Sequence, residues 1–92
     1  MLYVIFCLDK PGHEKIRLDN YEAHKAYLAT APYRTLMSGP LVTDDDSTMH
    51  GSFFLVESDQ RKVVEDFLEN DPFNRAGLWE FKRISAFRKR VG

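Results

Sequence analysis

The 92-residue chain sets 13 Lys and Arg against 14 Asp and Glu, a formal net charge of −1, with 43% hydrophobic residues. That length supports one domain with a single core over residues 1–92, and it is short enough that a second copy would cover apolar surface left over. The balanced charge offers no positive field to a phosphate backbone or an anionic membrane, so it argues against nucleic acid and membrane as partners, and the basic Lys82-Arg83 and Arg88-Lys89-Arg90 read as a solvated chain end.

The one cysteine, Cys7, excludes an intrachain disulfide and a cysteine-based zinc spacing, and fits a reducing, cytoplasmic setting. Leu2–Leu8 is apolar without interruption and rich in β-branched and aromatic residues; it is too short to span a bilayer and predicts a central strand covered on both faces. Asp9–His13 gathers Pro and Gly in a turn, with His13 solvated.

A first helix follows, starting between Glu14 and Asp19 and ending by Ala31, because Pro32 disfavours helical geometry just before it. Leu18, Tyr21 and Leu28 mark its apolar stripe, and His24 shares or borders that stripe. An imidazole turned towards a core either makes a structural hydrogen bond or serves proton transfer.

Tyr33–Ser38 predicts a second strand that stops or bulges at Gly39-Pro40, since Pro40 has no N–H for a ladder. Leu41-Val42 then gives way to the solvated loop Thr43–Thr48, whose adjacent Asp44, Asp45 and Asp46 lack the alternate spacing of a calcium site. Gly51–Glu57 predicts a third strand, and a helix from Asp59 to about Asn70, capped by Ser58, carries the stripe Val63, Val64, Phe67, Leu68. Asp71–Gly77 reads as a connector, and Leu78–Ile84 as a last strand that Ser85–Phe87 extends or follows.

The order β-α-β-β-α-β predicts an α+β, ferredoxin-like fold: a four-stranded antiparallel sheet covered on one face by two helices. Tyr3, Phe53, Trp79 and Phe81 are then expected on the bare face, where a second copy packs to make a homodimer.

The start Met1–Ile5, then Arg17-Leu18, His24, Ser38-Gly39-Pro40-Leu41, Gly51-Ser52 and Asp71-Pro72-Phe73 with Ala76-Gly77 resemble, in order and spacing, the YciI family of small bacterial proteins. The resemblance runs from Leu2 to about Lys89. It implies a ferredoxin-like domain that dimerises into an α+β barrel-like assembly, related in fold to the muconolactone isomerases. It also implies a pocket between helix and sheet that holds a His-Asp dyad; His24 matches the family histidine, and Asp71 the aspartate of an Asp-Pro-aromatic motif. Chemistry known in the family includes elimination of chloride from a chlorinated hydroxyhydroquinone. Many members carry an arginine three residues before the histidine, where this chain has Tyr21, which implies a less charged pocket wall.

A carboxylate that accepts from one imidazole nitrogen fixes the tautomer and raises the basicity of the other, so His24 as base and Asp71 as its orienter form a proton-transfer pair. For Asp71 the alternative is a turn residue ending a helix. Substrate-binding candidates are Arg17, Tyr21, Gly39, Pro40, Ser52 and Phe73, with plain structural roles open for each: an exposed helix-start Arg, core aromatics, a turn at Gly39-Pro40, a turn cap at Ser52. Three scattered histidines argue against a metal, and no phosphate loop or dinucleotide fingerprint calls for a cofactor. The expectation is a cofactor-free lyase or isomerase acting by proton transfer on a small cyclic substrate. The alternative is a non-catalytic binding or assembly domain with a structural His24.

Overall fold

The computed structural model describes residues 1–92. The chain runs β1 (Leu2–Asp9), α1 (Glu14–Leu28), β2 (Arg34–Val42), β3 (Met49–Glu57), α2 (Arg61–Glu69), α3 (Pro72–Arg75) and β4 (Trp79–Phe87). The strands pair antiparallel in the order β2-β3-β1-β4, with β1 and β3 central. This is the α+β, ferredoxin-like arrangement, but the barrel-like closure implied by the resemblance is absent. The sheet is open: β1 and β3 use both of their edges, and nothing pairs the outer edges of β2 and β4 with each other.

Alternation along β1 turns Tyr3, Ile5 and Cys7 to the helix side, where they pack with Phe54 and Val56 of β3, Val64 and Leu68 of α2, and Phe73, Leu78 and Trp79. Each large apolar side chain so buried stabilises the fold by about 1.5–3 kcal/mol. Val4, Phe6 and Leu8 face the other way, and Phe6 meets Phe81 edge-on at 6.4 Å. Contrary to expectation, then, β1 is covered on one face only.

The outer face also differs from the expected one in its membership. Trp79 and Phe81 are two residues apart and would share a face in a regular strand, yet Trp79 is in the core while Phe81 is 44% exposed. The cause is a bulge at Glu80: Leu8 pairs with Phe81 but Asp9 pairs with Trp79, so β4 gains one residue and Trp79 is turned inward. Tyr3 is buried on the helix side as well.

β2 does not stop at Gly39-Pro40; it runs through to Val42, with Pro40 opposite Ser52. An edge strand tolerates the missing N–H, and the irregularities lie on either side, at Thr35/Met37 and Leu41/Val42. Gly51 is required where it stands: a Cβ there would run into the carbonyl oxygen of Cys7 and the side chain of Leu41.

α2 begins two residues later than expected, with Gln60 rather than Ser58 at its N-cap position, because the Ser58 hydroxyl bonds within its own turn to Gln60. Tyr27 of α1 stacks on Phe67 at 4.2 Å and donates its hydroxyl to the Phe67 carbonyl, tying the two helices together. The expected connector after α2 contains the one-turn helix α3, with Pro72 at its first position and Asp71 as its cap. No helix is long and apolar enough to cross a membrane.

Candidate active site

The buried face of α1 is polar. Leu18, expected in the apolar stripe, is 62% exposed, and the two buried residues of the helix are Arg17 and His24. With Tyr21 and Leu28 they follow the spacing i, i+4, i+7, i+11 and face the sheet. A helix can bury such a face only if each polar side chain finds an ionic partner, and here both do.

Arg17, 1% exposed rather than solvated, holds Asp9 in a fork: Nε donates to Oδ2 at 2.7 Å and Nη2 to Oδ1 at 2.9 Å. Nη2 also donates to Ser52 Oγ at 2.8 Å. Asp9 is the last residue of β1 and Ser52 lies on the helix side of β3, so one guanidinium ties the helix to two central strands.

His24 pairs with Asp71, its Nδ1 lying 2.9 Å from both carboxylate oxygens. A carboxylate only accepts, so Nδ1 carries a proton, and in the neutral ring the lone pair is on Nε2. Asp71 is held in place by its second task, since Oδ1 accepts from the Phe73 N–H at 2.8 Å as the cap of α3. The turn-residue reading and the dyad reading of Asp71 therefore both describe it: the cap aims the carboxylate at His24. Gly77, at φ +73° where a side chain would be strained, ends that helix and lets the chain turn into β4.

Phe73 joins the two ion pairs. Its ring stacks on His24 at 3.9 Å and 15°, and the Arg17 guanidinium carbon lies 4.6 Å from its centre. Being fully buried, Phe73 sits under the site rather than in its wall. Phe54 and Trp79 approach the imidazole edge-on at 6.1 and 6.4 Å.

Beside these pairs opens a cleft of about 230 Å³. α1 lines it with Arg17, Tyr21, His24, Lys25 and Leu28, β2 with Ser38, Gly39 and Pro40, and β3 with Ser52 and Phe54. Of the expected substrate-binding residues, Arg17, Tyr21, Gly39, Pro40 and Ser52 thus meet at one cleft with His24, while Asp71 and Phe73 stand behind it. His24 Nε2 has no partner within the chain and is not sealed from the cleft.

Sequence reasoning missed Asp9, Lys25, Ser38 and Phe54. Asp9 carried a usable signal, as a carboxylate ending an apolar strand needs a cationic partner wherever it is buried. Lys25 lies over the Tyr21 ring at 4.7 Å and pairs with exposed Glu22 at 3.0 Å, contacts that hold it at the rim. No group of three or more His, Cys, Asp or Glu is placed to hold a metal ion. His13 caps the turn before α1, its Nδ1 3.1 Å from the Pro11 carbonyl oxygen. In the β2–β3 loop, Asp45 accepts from the hydroxyls of Thr43 and Ser47, which hold its carboxyl down at about 2.

Burial pushes the Cys7 thiol up to about 12, with the Asp71 carboxylate adding to the effect. Cys7 is therefore a core residue and no nucleophile.

A pair of this kind can take a proton at Nε2 and hold the resulting imidazolium against Asp71, a general acid/base arrangement. The family model for the YCII-related domain matches residues 1–88. Protein YciI of Escherichia coli is 29% identical over 96 residues, covering 97% of this chain and 98% of that protein. An uncharacterized protein of Haemophilus influenzae is 30% identical over the same length and coverage. Among solved structures, 5-chloro-2-hydroxyhydroquinone dehydrochlorinase from Burkholderia phenoliruptrix AC1100, in complex with 2,5-dihydroxybenzoquinone, superposes with a TM-score of 0.87 at 37% identity, over 96% of this chain and 94% of that one. An antibiotic biosynthesis monooxygenase shares the fold alone, at a TM-score of 0.60 and 18% identity. On the family model and these relatives, matched along nearly its whole length, the chain belongs to the YCII-related domain family.

Proposed function

We propose that this protein is a small enzyme that moves protons on a single-ring, hydroxylated substrate, with His24 as base and Asp71 as the residue that orients it, and that its reaction is elimination of a leaving group such as chloride. The observation that carries this reading is the orientation of the imidazole: Nδ1 is committed to Asp71, and the opposite nitrogen is left to the cleft. The cleft is smaller than the roughly 300–1,000 Å³ of pockets for drug-sized ligands, which favours one ring. The likeness to a dehydrochlorinase at 37% identity favours a hydroxyl-bearing, chlorinated one.

The proton balance closes without a hydride acceptor. Nε2 takes a ring hydroxyl proton, the O–H pair becomes the π bond of a carbonyl, and the displaced ring pair takes that proton back at the carbon bearing chlorine. Loss of a second hydroxyl proton to Nε2 forms the second carbonyl, and its pair moves through the ring to expel chloride. The net change is loss of HCl, and His24 returns to its neutral form when it passes the proton to water. An isomerisation stops after the first transfer.

A homodimer through the outer sheet face belongs to the same reading. Met37 at 61% and Phe81 at 44% exposure leave that face more apolar than a solvated sheet needs to be. A cytoplasmic location fits the free, buried Cys7.

The test is chloride release from 5-chloro-2-hydroxyhydroquinone by the purified protein, followed with a chloride electrode. Release that falls by two to four orders of magnitude in His24→Ala supports the assignment, on the scale of about 10²–10⁴ for a general base. A variant as fast as wild type would sink it.

A further inference from the structure

Two donors in the cleft are left over once the buried pairs are drawn. Arg17 spends Nε and Nη2 on Asp9 and Ser52, and its Nη1, with two N–H groups, makes no hydrogen bond within the chain. Ser52 Oγ accepts from Arg17 and gives its own proton to no group of the chain. Both residues line the cleft and both are more than nine-tenths buried, yet Nη1 is not among the atoms sealed from solvent, Trp79 Nε1 being the one buried donor in that state. Arg17 and Ser52 share the lining of the cleft, so a ligand in it is the partner within reach of their unused N–H and O–H.

These donors are fixed. Both oxygens of Asp9 are occupied by the guanidinium, which sets its plane, and the Phe73 ring lies against it as it lies against His24. His24 and the Arg17 guanidinium thus share the Phe73 ring as neighbour, Ser52 lines the same cleft, and Lys25 adds a cation at the rim. A base beside preorganised donors is the arrangement that stabilises charge appearing on an oxygen as a proton leaves.

We propose that Arg17 Nη1 and the Ser52 hydroxyl form an oxyanion site facing His24, so that the substrate is held by an oxygen that is, or becomes, a phenolate or enolate. This rests on the reading of His24 as the base. The pair on the oxygen formed when Nε2 takes the proton is received by N–H and O–H donors already in place, and it returns to the ring when the leaving group departs. The substrate class is thereby narrowed to rings that bear an ionisable hydroxyl next to the reacting carbon; a ring whose hydroxyls are methylated is excluded.

The probe is 4-nitrophenol, whose anion is read directly by its absorbance at a pH where the free compound is half ionised. Saturating wild-type protein is expected to raise the anion fraction, with the anion bound about ten- to a hundredfold more tightly than the neutral form, as hydrogen bonds to a charged group allow. Ser52→Ala should lower that preference about tenfold. Arg17→Met paired with Asp9→Leu, which leaves no lone buried carboxylate, should abolish it. His24→Gln should keep it. No rise in the anion with wild type, or a preference untouched by Ser52→Ala, overturns the proposal. The two readings separate, because chloride release that survives His24→Gln removes the base and not the oxyanion site. A probe preference lost only in His24→Gln removes the oxyanion site and not the base.

Discussion

His24 Nδ1 is equidistant, at 2.9 Å, from the two oxygens of an Asp71 carboxylate that also caps a helix through the Phe73 N–H. One side chain thus sets both the direction of the helix α3 and the tautomer of the base. Asn caps a helix about as well as Asp. Asp71→Asn should therefore leave thermal stability nearly unchanged while losing the fixed Nδ1–H tautomer, seen in ring ¹⁵N shifts, and about two to four orders of magnitude in kcat. Asp71→Ala adds loss of the cap, about 1 kcal/mol of stability.

The Arg17–Asp9 pair tests a different property. Removing one partner strands the other in a buried site, so Arg17→Met or Asp9→Leu alone should destabilise by about 3–5 kcal/mol in urea denaturation. The double variant, with neither charge left, should recover most of that loss. Singles as stable as wild type would mean that the pair is solvated in the native protein.

Gly51→Ala places a methyl group against the Cys7 carbonyl inside the central β1–β3 pairing, where backbone must move to admit it. The urea midpoint should drop by the equivalent of about 1–3 kcal/mol. Gly39→Ala, at a position with open space around it, should cost less.

Burial raises the Cys7 thiol from an ordinary value near 9 to about 12, and raises Tyr33 to about 12. Between those limits the unfolded chain has lost protons that the folded one keeps. Stability contributed by the neutral forms is thus complete below about pH 9 and declines as pH rises towards 12. Urea midpoints across that range should show the decline, less steep in Cys7→Ala, and a thiol reagent should label Cys7 at neutral pH only after unfolding.

Phe81→Glu, on the outer face, should yield a monomer by sedimentation velocity where the wild type is a dimer, with the helix-side core unchanged by circular dichroism. A monomeric wild type would remove the second copy from the proposed function.

Local pattern in the sequence determined the order of the four strands and the two longer helices, though not the one-turn α3, the antiparallel ferredoxin-like sheet with helices on one side, and the place of His24 on the buried face of the first helix. It did so because hydrophobic period, Pro, Gly and cap residues act within a few positions of themselves. Tertiary structure alone decided which polar groups meet. Arg17 looks like a solvated helix-start residue until Asp9 and Ser52, 35 residues away, are brought to its guanidinium. Asp71 looks like a turn until its carboxylate is seen against an imidazole 47 residues earlier. The bulge at Glu80 reversed the face of Trp79, since one extra residue shifts a period of two by half a cycle, and the free edges of β2 and β4 left open a sheet that resemblance alone had closed. Such pairings are settled by the shape and charge of the packed interior, which no short stretch of chain carries by itself.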